Sequence, residues 1–234
     1  MSGASSSLPT ARVAEILHVL ALGLVLCACT KPPPPTVSRA AIAFRDDVPG
    51  YQKLASEKYA LHYLEGAYEA VDYLEATPTD DGQARLLAAI TDAAAKHDTI
   101  DLFFLSNGNR YDAWVSTLPR PVLAKLHLVY NTGAGDARQG STWLALGARA
   151  YVGHPGGNVA PLFLTYFLPS WVKGADLRKA VDEANKQTKD DLTGSMAKRL
   201  LGVVDSVGGP HFDQAKLWAG TEAQLYGDPT LVVK

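Results

Sequence analysis

Three apolar runs constrain the fold of this 234-residue chain more than any other feature. They are Ile100-Asp101-Leu102-Phe103-Phe104-Leu105, Leu126-His127-Leu128-Val129-Tyr130 and Ala148-Arg149-Ala150-Tyr151-Val152-Gly153. Each has the length of a strand, and the first two are apolar almost without alternation, the pattern of strands buried on both faces. Each runs into turn-forming residues: Asn107-Gly108-Asn109, Asn131-Thr132-Gly133 and His154-Pro155-Gly156-Gly157. A shorter run over residues 40–44 predicts a first strand. Helical patterns fill the spaces between. Leu54, Tyr59, Leu61, Tyr63, Leu64, Tyr68, Val71 and Leu74 form a stripe that predicts one long helix over residues 51–75, its tyrosines read as core or rim. Asp80 or Asp81 caps the next, over residues 83–97. Further helices are expected over residues 141–146, 161–172 and 175–187. Strands alternating with helices in this way predict an α/β domain, a three-layer sandwich with a mostly parallel sheet flanked by helices. Right-handed crossovers then bring the loops after the strands to one edge of the sheet.

The composition, 47% apolar with a net charge of −2, suits one globular domain with a sizeable core. No basic excess marks a nucleic-acid partner, and the histidines show no ligand spacing with one another or with acids, His211 in its Gly208-Gly209-Pro210 loop included. Neither a metal nor a cofactor is expected.

The N-terminus has its own logic. Arg12 precedes Val19-Leu20-Ala21-Leu22-Gly23-Leu24-Val25-Leu26, too short to span a bilayer but of the length of a signal-peptide core. Leu26-Cys27-Ala28-Cys29 resembles a bacterial lipobox, with Leu26 and Ala28 at the positions that place lipidation on Cys29; Cys27 would put bulky Leu26 against the cleavage point. Four consecutive prolines, Pro32 to Pro35, follow and favour an extended polyproline rod at ~3.1 Å per residue. The expected organisation is a signal peptide over residues 1–28, a lipidated cysteine and proline-rich tether over 29–38, and one domain over 39–234. A lipid on Cys29 makes the membrane a partner and the cell envelope the location. Thr30, where an aspartate would retain the protein at the inner membrane, directs it to the periplasmic side of the outer membrane if the organism is Gram-negative.

Tyr130-Asn131-Thr132-Gly133-Ala134-Gly135-Asp136, closing the second run, resembles the C-N-T-G-x-G-D signature of CHAT domains, caspase-like peptidases related to separase. Gly147-Ala148-Arg149-Ala150-Tyr151-Val152-Gly153 is similar to the G-A-R-x-V-x-G element that follows it there. Phe163, Phe167, Gly174, Leu177, Ala180 and Ala184 match the helices beyond. Gly227-Asp228-Pro229-Thr230-Leu231 resembles the ending of gingipain-like relatives. The likeness runs from about Asp101 to the C-terminus and implies a caspase-like fold. In that family the residue at position 130 is the nucleophilic cysteine and the residue at 107, before Gly108, the histidine. Here they are Tyr130 and Asn107, and no cysteine lies beyond Cys29. A phenol with pKa near ~10 is a poor nucleophile, and an amide does not titrate. The resemblance therefore implies a degenerate peptidase domain, a non-catalytic binding or scaffolding module.

A ligand, most naturally a peptide or protein segment, is expected at the strand-edge residues Asn107, Gly108, Tyr130, Asp136 and His154. The glycines of the loop leave backbone N–H groups free to cradle a carboxylate, although the turn itself also requires them. The alternative is a hydrolase using a Ser or Thr nucleophile in the same pocket. Ser141, His154 and Asp136 supply the residue types of a triad, without a G-x-S-x-G elbow to support it.

Overall fold

The computed structural model describes residues 37–46, 56–106, 108–156, 160–194 and 214–233. These lie within one compact unit, Val37–Lys234. The expected signal peptide, Cys29, the tether up to Thr36, Asn107 and His211 lie outside the described residues.

Strand β1 (Arg39–Arg45) enters the middle of the sheet, and β2 (Ala70–Glu75), β3 (Thr99–Leu105), β4 (Leu126–Asn131), β5 (Ala150–Gly153) and β6 (Gln224–Gly227) complete it. The order is β2-β1-β3-β4-β5-β6. All neighbouring pairs are parallel except β5–β6, which is antiparallel. The three apolar runs are adjacent strands, with Phe103 beside Tyr130 and Tyr130 beside Val152. The domain is thus α/β with a mostly parallel sheet, as the alternation of patterns predicts.

Side chains alternate between two buried clusters because successive strand residues point to opposite faces. Ala41, Ala43, Phe103, Leu105, Leu128, Tyr130 and Val152 pack with Leu64 of α1 (His62–Glu65), Phe163, Phe167 and Trp171 of α6 (Ala160–Val172), and Leu177, Val181 and Ala184 of α7 (Leu177–Thr193). Ile42, Phe44, Leu102, Phe104, Val129 and Tyr151 pack with α2 (Gln83–Lys96), α3 (Tyr111–Val115), α4 (Arg120–Leu123) and α5 (Gly140–Leu146). Helix α2 begins at Gln83 as expected, but its N-cap is Gly82, at φ +77° and without a side-chain cap; Asp80 and Asp81 accept from the Gly82 and Gln83 N–H groups in the turn before it.

A larger expectation is overturned. The stripe over residues 51–75 does not form a single long helix. A π-helical turn, Ser56–Leu61, leads into α1, the chain turns at Gly66, and residues 70–75 become β2. Val71, Tyr73 and Leu74 pair in register with Ala41, Ala43 and Phe44. The edge strand is half-exposed along its length, so its apolar residues fit a helical stripe as well as a strand. Pairing with β1, which no local pattern reveals, decides between them. Helix α8 (Gln214–Thr221) and the antiparallel strand β6 carried no sequence signal.

The two motif fragments at Gly147-Ala148-Arg149 and Gly227-Asp228-Pro229 meet in space. The Asp228 N–H donates to the Arg149 carbonyl at 2.9 Å, and the Arg149 guanidinium lies 2.9 Å from the Asp228 carboxylate. Pro229 and Leu231 carbonyls accept from the Arg178 and Leu177 N–H groups at the start of α7. This C-terminal turn therefore fastens β6 to both β5 and α7.

Candidate functional site

The C-terminal ends of β3, β4 and β5 form one edge, and four of the singled-out residues, Gly108, Tyr130, Asp136 and His154, are described there. They do not form one constellation. Tyr130 belongs to the face covered by α6, its ring 5.4 Å from Phe167 and 5.9 Å from Phe163. Its hydroxyl lies 3.2 Å from His154 Nε2, and His154 Nδ1 lies 2.6 Å from the Thr221 carbonyl. Both side chains are completely buried. Burial lowers the His154 imidazole to about 4, so the ring is neutral. The carbonyl fixes its tautomer: Nδ1–H donates to Thr221 and Nε2 accepts from Tyr130. Burial pushes the Tyr130 phenol well above its ordinary range. A neutral, buried phenol bonded to a neutral imidazole is a packing contact with no nucleophile in it.

Beyond Tyr130 the strand ends in a lattice that ties the β3 and β4 loops together. Thr132 Oγ1 accepts from the Ser106 N–H at 2.8 Å and donates to the Ser106 carbonyl at 2.9 Å, extending the ladder past its last backbone pair. Asn131 Oδ1 accepts from Ser106 Oγ and from the Gly133 N–H. Ser106 Oγ also reaches the Gly108 carbonyl at 3.1 Å. Gly135 has φ +79°, in the left-handed region where a side chain is strained, and leads into a 3₁₀ turn, Asp136–Gln139.

Asp136 is fully buried, and neither carboxylate oxygen has a hydrogen-bond partner among the described residues. The group presses against Gly133, where an added Cβ would lie 1.9 Å from Oδ2 and 2.5 Å from the Gly108 carbonyl oxygen. The protein's own carboxyl therefore fills the glycine loop. Burial raises the Asp136 carboxyl from 3.8 to about 7; the Gly133 N–H nearby favours the charged form but is committed to Asn131, and Asp112 opposes it.

A Ser141–His154–Asp136 triad is not assembled. Both imidazole nitrogens of His154 are engaged elsewhere, and Ser141 is exposed on α5. His154 instead contributes its carbonyl to the loop, accepting from the Ala137 N–H at 3.0 Å. Further along the edge, the ends of β1 and β2 border a cleft lined by Asp46, Asp80, Asp81 and Arg110. Its acids are already bonded: Asp46 to Arg110 and Tyr111, and Asp80 to Arg85. Among the described residues, no three metal-ligating side chains converge.

Sequence reasoning missed Ser106, Thr221 and Tyr151, whose hydroxyl donates to the Asp136 carbonyl at 2.8 Å. Ser106, directly before the Asn-Gly turn, was the discoverable one. The Thr221 carbonyl is a main-chain group 67 residues from His154 and leaves no trace in the sequence. Comparison with protein-family models, with curated proteins and with solved structures finds no match to this chain.

Proposed function

We propose that this chain is a lipid-anchored bacterial envelope protein whose domain is a caspase-like, CHAT-like three-layer sandwich without peptidase chemistry, used for binding or scaffolding. The observation that carries the reading is the burial of Tyr130 against Phe163, Phe167 and His154, which turns the nucleophile position of the resemblance into core. Three further facts support it. The strands bearing Phe103, Val129 and Tyr151 are parallel neighbours, helices pack with both faces of the sheet, and the Arg149 and Asp228 motif fragments join each other. The partner is a peptide or protein segment, met at the exposed rim of the strand edge around Asn109 and Ala134 and not at Tyr130 or His154 themselves.

The experiment is peptide-library turnover by the purified protein. No cleavage above a heat-treated control is expected. Turnover that Tyr130→Phe or Ser141→Ala abolishes would establish hydrolytic chemistry at this edge and overturn the reading.

A further inference from the structure

Six buried side-chain polar atoms lack a hydrogen-bond partner among the described residues, and five of them belong to Asn131, Asp136, Gln139 and Trp143. The fold gathers these four residues. Asn131 ends β4, and Asp136, Gln139 and Trp143 follow one another at helical spacing along the 3₁₀ turn and α5. Unpaired buried groups are few in native proteins and costly, so such a concentration beside one loop calls for a reason.

Asp136 supplies one. A Cβ built on Gly133 would meet both its Oδ2 and the Gly108 carbonyl oxygen, which puts the carboxyl at the seam where the residues after β3 and the loop after β4 approach each other. A carbonyl oxygen repels a carboxylate and accepts from a carboxylic acid. Burial raises its proton affinity most and Asp112 of α3 adds to this, while the Gly133 N–H and Arg138 on its own turn oppose it. Arg138 directs its Nε to the Gly135 carbonyl and is exposed. From β5 the facing titratable group is Tyr151, with Tyr226 of β6 behind it; burial holds the Tyr151 phenol neutral. From β4 the facing residue is Asn131, which carries no charge.

We propose that Asp136 is a proton-operated catch between the loops that follow β3 and β4. Protonated, its carboxyl donates to the Gly108 carbonyl and holds the loops together. Ionised, with the proton released to solvent, it leaves Gly133 and the loops part, exposing the buried Asn131 amide and the loop N–H groups to solvent at the sheet edge. The carboxyl's rise to about 7 puts the transition near neutrality. The catch concerns the same strand edge as the proposed binding surface but holds whether or not that surface binds a peptide.

Amide hydrogen exchange on the full chain tests it, with rates over residues 108–110 and 133–136 corrected for intrinsic exchange. An open loop has an ordinary carboxyl and a closed one a raised carboxyl, so the opening constant should grow about ten-fold between pH 6 and pH 8. Asp136→Asn, whose amide can still donate to Gly108, should stay closed and show no such growth. Gly133→Ala should open the loop at pH 6 already, because its Cβ displaces the carboxyl. An equal pH response in Asp136→Asn and wild type would overturn the proposal, as would a flat response in wild type. Carboxyl-carbon NMR of wild type needs no variant: the catch requires one aspartate with a midpoint near 7, and titration of every aspartate below about 5 would sink it.

Discussion

The Tyr130 hydroxyl lies 3.2 Å from Nε2 of His154, and the opposite nitrogen of the same ring lies 2.6 Å from the Thr221 carbonyl. One imidazole thereby joins the end of β4, the end of β5 and the last turn of α8. With both nitrogens engaged, the ring serves as a buried clamp between three segments distant in sequence.

Removing the phenol hydroxyl leaves Nε2 buried without a donor. Tyr130→Phe should therefore destabilise the domain by about 1–3 kcal/mol, although the ring still packs on Phe163 and Phe167. Urea denaturation measures this directly, and an unchanged midpoint would mean that the hydrogen bond carries no weight.

The same burial fixes the chemistry of a restored thiol. Tyr130→Cys places the sulfur under α6, in apolar surroundings that favour the neutral form. Its reaction with a disulfide reagent should be slow in the native protein and fast after denaturation. Rapid native-state labelling would show that position 130 faces an open groove, as a peptidase nucleophile does.

Two buried groups make opposite contributions to acid stability. His154 falls from 6.5 to about 4 on folding, so below pH 6.5 the unfolded chain binds a proton that the folded chain refuses. Its contribution is complete above pH 6.5 and is lost as pH drops toward 4, by ~1.4 kcal/mol per pH unit. Asp136 rises from 3.8 to about 7, so the folded chain binds the extra proton and stability grows as pH drops from 7 to 4, by a similar slope. In wild type the two offset each other between pH 4 and 6.5. Asp136→Asn should expose the His154 slope and lose stability on acidification relative to wild type. Denaturation at pH 4.5, 5.5 and 6.5 checks this; parallel curves for the two proteins would contradict it.

At the opposite edge of the sheet, Asp101 accepts from Tyr68 at 2.5 Å, from His127 at 2.8 Å and from the Leu128 N–H at 2.9 Å. Trp171 donates to Tyr68 behind it, and Arg39 lies 3.4 Å from the far nitrogen of His127. Asp101→Ala leaves three buried donors unpaired and should cost about 3–5 kcal/mol. A circular-dichroism melt within a few degrees of wild type would mean that the network is dispensable.

The anchor is tested apart from the domain. Wild type should partition with membranes, and Cys29→Ser should be released or remain as an uncleaved precursor. Intact-mass analysis finding a leader-free N-terminus without a lipid would overturn lipidation.

The sequence by itself determined the adjacent strands β3, β4 and β5, the helices α2, α5, α6 and α7, and the glycine turn at Gly133 and Gly135; α3 and α4, between β3 and β4, it did not. Those signals are local: an apolar run of strand length, a helical period, a residue type that a tight turn demands. It also determined that no thiol chemistry is available beyond Cys29. Tertiary structure alone decided that residues 70–75 are an edge strand, because a half-exposed strand and a helical stripe share a pattern until β1 is beside them. It alone decided the roles of Tyr130 and Asp136. Tyr130 could have faced a groove or the core, and the packing of α6 over β4 buried it. Asp136 could have pointed to solvent, and the close approach of the Gly108 and Gly133 backbones enclosed it. Burial and hydrogen-bond partners are relations between distant segments, and the chemistry of both side chains follows from those relations.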